Sequence, residues 1–124
     1  MIMIVDDDVG LAETCSMYLE AHGFEVTIAS SGLDALSQMK GVSHELVISD
    51  YAMPGMTGVE LSEVLKAEPS TASVPVLLMS ASLRCDIAAG TAYDAFLRKP
   101  FLGESLLVEV RKLLDSAPAS PNHN

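Results

Sequence analysis

Residues 45–58 read ELVISDYAMPGMTG, an apolar run that ends on a carboxylate and passes at once into proline and glycine. Glu45 to Ser49 carries Leu46, Val47 and Ile48 in succession, and a continuous rather than alternating run suits a strand buried on both faces. Pro54 and Gly55 supply turn chemistry, after which Leu61, Val64 and Leu65 recur at helical spacing with one apolar face inward. A buried strand that feeds a turn and then a helix is the building block of a parallel sheet.

The same order repeats to either side. Met1 to Val5 is an unbroken apolar run ending at Asp6, and Phe24 to Ser30 alternates at Phe24, Val26 and Ile28. Val74 to Met79, with Pro75 near its start, and the short Ala95 to Leu97 complete five strands. Leu11, Cys15, Tyr18 and Leu19 mark one helix, and Leu33, Leu36 and Met39 another; His22-Gly23 and Lys40-Gly41 supply their stops. The last helix, with Leu102, Leu106, Leu107, Val110, Leu113 and Leu114, follows Pro100 and carries Arg111 and Lys112 near its C-terminal end, where cations suit the helix dipole. Ser82 to Asp94 should hold a further helix, although Ala88, Ala89, Gly90, Thr91 and Ala92 give it almost no apolar stripe. The reading is one α/β domain over residues 1–115, with five parallel strands and helices on both faces. Residues 116–124, SAPASPNHN from Ser116 on, contain two prolines and no large apolar side chain, and read as a disordered tail.

Seven Lys and Arg against 17 Asp and Glu leave a net charge of −10 on 124 residues, so the chain lacks the cations that release counterions from a nucleic-acid backbone. Direct nucleic-acid binding is therefore excluded as an expectation. The apolar runs are short and interrupted, and no basic leader precedes them, which points away from a membrane and towards the cytoplasm. Cys15 and Cys85 are too few and too far apart for a disulfide framework or a zinc site; both read as free thiols, with Cys15 in a helix core. His22, His44 and His123 are scattered and read as surface residues, and Met53 and Met56 as packing.

In an open parallel sheet, ligands bind outside the carboxyl ends of the strands. The first strand ends in Asp6, Asp7 and Asp8, the third in Asp50 and the fourth in Ser80, while the fifth leads into Lys99. Each alone is an ordinary turn or cap residue, but jointly they point into one crevice. An oxygen-only, carboxylate-rich set suits a hard cation that keeps some water, for which Mg²⁺ is the default. Close carboxylates without the ion should raise at least one pKa. A carboxylate can attack a phosphoryl group when a cation and a fixed amine neutralise the transferring oxygens. Asp50, alone at the end of a buried run, is the candidate nucleophile, with Lys99 as the amine and Ser80 as a nearby hydroxyl.

At these residues the chain resembles the receiver domain of two-component response regulators, the CheY-like family. The carriers are IVDDD at the first strand end, DYAMPGMTG from Asp50 to Gly58, MSA at Met79 to Ala81, and FLRKPF from Phe96 to Phe101. The resemblance implies a doubly wound, flavodoxin-like (β/α)5 fold with strand order 2-1-3-4-5. It implies that Asp50 accepts a phosphoryl group from the phosphohistidine of a sensor histidine kinase or histidine phosphotransfer protein. Asp7 and Asp50 would bind Mg²⁺, Asp6 would help through water, and the backbone carbonyl of Ala52 would be a further ligand. Lys99 would contact the phosphoryl group, Ser80 would be drawn towards it, and Phe96 would turn inward as Ser80 moves. Ala52 and Ser82 would flank the path of the attacking water and tune the phosphate's lifetime. A cis peptide between Lys99 and Pro100 is also suggested. The output would be a changed protein-interaction surface, through a monomer or a phosphorylation-dependent dimer.

One departure stands out: Ser80 and Lys99 are 19 residues apart, about three fewer than the family pattern, with the shortfall inside the weak helix. That shortfall implies a short or mobile helix there, and signalling through the first helix or the loops instead. Two rivals remain on sequence. In a small Mg²⁺-dependent phosphohydrolase Asp6 would attack and Asp8 would act as acid and base, but Gly10 stands where that pattern wants Thr or Val, and no late acidic pair follows. A degenerate receiver would serve only as a binding module; the intact Asp6, Asp7, Asp50, Ser80 and Lys99 set argues against it.

Overall fold

The structure, a computed structural model, describes residues 1–81 and 93–116. The chain runs β1 (Ile2–Val5), α1 (Val9–Ala21), β2 (Val26–Ala29), α2 (Gly32–Met39), β3 (Leu46–Asp50), α3 (Gly58–Ala67), β4 (Val76–Ser80), β5 (Ala95–Arg98) and α4 (Gly103–Ser116). All four strand pairings are parallel, as the order of elements predicts, and the sheet order is β2-β1-β3-β4-β5, as the family resemblance implies. The expected helix between the fourth and fifth strands, Cys85, Ser82 and residues 117–124 of the expected tail lie outside the described residues; Ser116, read as the first residue of that tail, instead ends α4.

The continuous apolar runs have the meaning read from them. Every residue of β1, β3 and β4 is buried, whereas the edge strands β2 and β5 are mostly half-buried. One core cluster joins Ile2, Ile4, Leu46, Ile48, Leu77 and Met79 to α1 and α4 through Leu19, Leu106 and Val110. The alternate residues Met3, Val5, Val47 and Val76 pack on the other face against Ala35 and Met39 of α2 and Leu61 and Leu65 of α3. Period-two alternation thus divides side chains between two helical layers instead of between core and water.

Helix ends follow the punctuation. Gly23 and Gly41 adopt φ +94° and +73° after His22 and Lys40, a left-handed conformation that glycine alone takes without steric cost. Five sequence readings need correction. Leu33 and Leu102 are 71% and 69% exposed, because the first sits in the opening turn of α2 and the second precedes α4, where the helix face has not yet met the sheet. Val64 is 42% exposed on the outer side of α3. Because α4 continues to Ser116, Arg111 and Lys112 lie before its final turn, out of reach of most of the dipole. His44, expected at the surface, is only 7% exposed: its Nδ1 lies 3.2 Å from the Val42 carbonyl and its Nε2 3.3 Å from Oγ1 of Thr27 in β2. His22 is exposed as expected, Cys15 is a buried free thiol, and His123 lies outside the described residues.

Candidate phosphoacceptor site

Parallel strands bring their carboxyl ends to one edge of the sheet, and the register sets how far each reaches. Val5 of β1 lies opposite Ser49 of β3, so the next residues, Asp6 and Asp50, emerge side by side. Asp50 pairs with Met79 of β4, and Ser80 pairs with Arg98 of β5, placing Lys99 just beyond. The backbone N–H of Lys99 donates to the Ser80 carbonyl at 2.8 Å, which fixes where the lysine leaves the sheet; its peptide bond to Pro100 is cis.

The side chains then meet. Lys99 Nζ lies 3.1 Å from Asp6 Oδ2 and 3.0 Å from Asp50 Oδ1. Asp6 is 1% exposed, and its other oxygen accepts the Asp8 N–H at 2.9 Å. Asp7 points outward, yet it offers an oxygen that lies, with one each from Asp6 and Asp50, in a group spanning no more than 4.8 Å. Ser80 is buried at the end of β4, and Phe96 is half-buried opposite Leu78. Ala52 is exposed in the loop that follows Asp50. Asp8 stands outside that group: its Oδ1 accepts the Leu11 N–H at 3.1 Å as the N-cap of α1, an arrangement that does not favour the phosphohydrolase reading.

The electrostatics follow from this crowding. Burial pushes the Asp50 carboxyl above its ordinary value, and Asp6 and Asp7 push the same way against the pull of Lys99. Lys99 is held above its own ordinary value by its hydrogen bonds to Asp50 and Asp6, although burial opposes them. Burial, with Asp6 adding to it, also raises the Cys15 thiol, which packs below the site as an inert thiol. Among the described residues, the Asp6, Asp7 and Asp50 carboxylates gather around one ammonium, that of Lys99, a formal surplus of two negative charges. An all-oxygen donor set with that deficit fits a hard divalent cation such as Mg²⁺.

The loop between β3 and α3 is closed at both ends. Tyr51 N–H donates to the Met79 carbonyl at 2.7 Å, and Gly58 N–H to the Tyr51 carbonyl at 2.9 Å. Gly55 turns the chain at φ +84°. Thr57 and Glu60 exchange side-chain and backbone hydrogen bonds of 3.1 and 2.9 Å, a capping box that starts α3. The sequence reading passed over it, although T-G-V-E at residues 57–60 carries the S/T-x-x-E signature of that box.

Comparison with known proteins agrees with this geometry. Residues 2–111 match the family described as response regulator receiver domain. The DNA-binding response regulator MtrA of Mycobacterium tuberculosis H37Rv is 32% identical over 95% of this chain and 53% of its own length. The CpxR homolog of Haemophilus influenzae, a transcriptional regulatory protein, is 33% identical over 99% of this chain and 53% of its own. The chain thus spans about half the length of the curated relatives it matches. Among solved structures, the signal receiver domain of a histidine kinase from Syntrophus aciditrophicus superposes with a TM-score of 0.87 at 27% identity, covering 99% of this chain and 96% of that one. Chemotaxis response regulator CheY4 of Vibrio cholerae gives 0.82 at 28% identity, over 91% and 97%.

Proposed function

The chain belongs to the response regulator receiver family, whose members are phosphorylation-activated signalling switches, and from that premise we propose that Asp50 is the phosphoacceptor. The observation that carries this reading is the Lys99 ammonium held between Asp6 and Asp50, with the Asp7 carboxylate alongside, at the carboxyl edge of the sheet. The donor is the phosphohistidine of a sensor histidine kinase or histidine phosphotransfer protein. One Asp50 carboxylate oxygen attacks phosphorus, the P–N bond breaks, and the imidazole leaves with the electron pair, giving an acyl phosphate. Lys99 stands ready to take a phosphoryl oxygen in place of the Asp50 carboxylate it now holds.

Asp6, Asp7, Asp50 and the Ala52 carbonyl would hold Mg²⁺, which when bound offsets the surplus negative charge and that of the incoming oxygens. The new phosphoryl oxygens are strong acceptors, so the Ser80 hydroxyl turns towards them and Phe96 follows into the space it vacates. The readout is a protein surface contacted by a downstream protein in the cytoplasm. Hydrolysis of the acyl phosphate by water resets the switch, so the protein catalyses its own phosphorylation and dephosphorylation without being an enzyme in the metabolic sense.

Incubation of the full chain with Mg²⁺ and acetyl phosphate, read by intact mass, tests the proposal. It predicts one added phosphoryl group that is lost at alkaline pH and never appears on Asp50→Asn. Equal labelling of both proteins contradicts it. No labelling, no released phosphate and no Mg²⁺-dependent change in melting temperature would instead support the binding-only reading.

A further inference from the structure

We propose that Ser49 and Gly58 are positioning residues for the phosphoacceptor, seating the backbone carbonyl of Asp50 between them and so aiming its carboxylate at Lys99. The inference rests on the assignment of Asp50 as acceptor. Ser49 is completely buried, on the sheet face it shares with Val47, and its Oγ donates to the Asp50 carbonyl oxygen at 3.0 Å. A hydroxyl in an apolar layer is costly unless bonded, and an alanine there would avoid that cost.

Gly58 closes on the same oxygen. A Cβ at residue 58 would overlap the Asp50 carbonyl oxygen, lie 3.1 Å from its carbon and 2.6 Å from Leu78 Cδ1. Gly58 has no positive φ, so backbone torsion does not require glycine there, and in a helix glycine costs about 1 kcal/mol relative to alanine. What requires it is the approach of α3 to the nucleophile's own peptide. The helix cannot easily withdraw, because the Gly58 N–H to Tyr51 carbonyl bond, 2.9 Å long, ties its first turn to the residue after Asp50. Added bulk at residue 58 is therefore relieved by tilting the Asp50 peptide, which swings its Cα–Cβ bond away from Lys99. Gly32 offers the contrast, since the nearest atoms a Cβ there would meet belong to the flexible Met56 side chain, with Sδ at 2.6 Å.

The test measures acyl-phosphate formation from acetyl phosphate at saturating Mg²⁺, at a temperature where each variant is folded by circular dichroism. Gly58→Ala should lower the maximal rate about tenfold or more, since misplacement by about 1 Å can cost about a hundredfold. Ser49→Ala, which adds no bulk, should lower it roughly threefold to tenfold by the same argument. In both, the half-saturating donor concentration should stay within about twofold, because aim rather than donor binding has changed. Gly32→Ala and Leu46→Ala, the latter destabilising β3 at its far end, should keep the wild-type maximal rate. A wild-type rate in folded Gly58→Ala and Ser49→Ala overturns the inference, as does an equal loss in Leu46→Ala. If Gly58→Ala does not fold, Ser49→Ala decides alone. A wild type that takes no label removes the acceptor assignment itself, and this inference with it.

Discussion

At the level of single residues the molecule holds charge where it is unfavourable until something neutralises it. Asp50 is buried with its carboxyl pushed above the ordinary range by burial and by two neighbouring acids, so in metal-free buffer its ionised form costs stability. Asp50→Asn should therefore raise the melting temperature in the presence of a chelator, by an amount corresponding to roughly 1 kcal/mol, while abolishing phosphorylation; a lower melting temperature would contradict this. Lys99→Ala should act in the opposite sense, leaving Asp6 and Asp50 buried without their shared cation at a cost of about 3 kcal/mol, measurable by urea unfolding. His44 adds a pH dependence of its own. Burial holds it below its ordinary value, so as pH falls below about 6.5 the unfolded chain takes up the proton first and stability declines. The melting temperature of wild type should drop between about pH 7 and 5.5 more steeply than that of His44→Gln. The acids and Lys99 were legible because each ends a strand, where the fold class itself says that ligands go. His44 was not, because nothing in the periodicity marks a polar residue that is buried by finding Val42 and Thr27 as partners.

Individual elements show where local signals suffice and where tertiary contacts override them. The three fully buried strands were readable because their apolar runs are continuous, and β2 because it alternates, although strand limits shift by one or two residues. The apolar stripes misled at Leu33 and Leu102, where spacing promises burial but position in the fold denies it. Two devices around α3 were not recognised. Its capping box should be worth about 1 kcal/mol, so Thr57→Ala should unfold at correspondingly lower urea concentration with an unchanged slope. At its other end Lys66 Nζ reaches both the Val74 carbonyl and Asp94 Oδ2 at 2.8 Å, and the same carboxylate oxygen accepts Val76 N–H at 2.7 Å. That clamp joins residues 28 apart in sequence, a pairing that no local pattern announces.

For the whole molecule, the sheet order and the convergence of four strand ends, those of β1, β3, β4 and β5, make a switch out of parts that are individually commonplace. The order of elements and the site could be read together because both depend on the same residues, those at which a buried strand stops. Side-chain aim could not, since Ser49 and Gly58 look like filler until β3 and α3 are brought into contact. On the proposed function, this convergence makes Asp50 the residue that carries phosphate. The most direct measurement is borohydride reduction of the protein after treatment with acetyl phosphate and Mg²⁺, followed by peptide mass mapping. Conversion of Asp50 to homoserine, with Asp6, Asp7 and Asp8 unchanged, is the predicted result; reduction at any of those acids in place of Asp50 would contradict it.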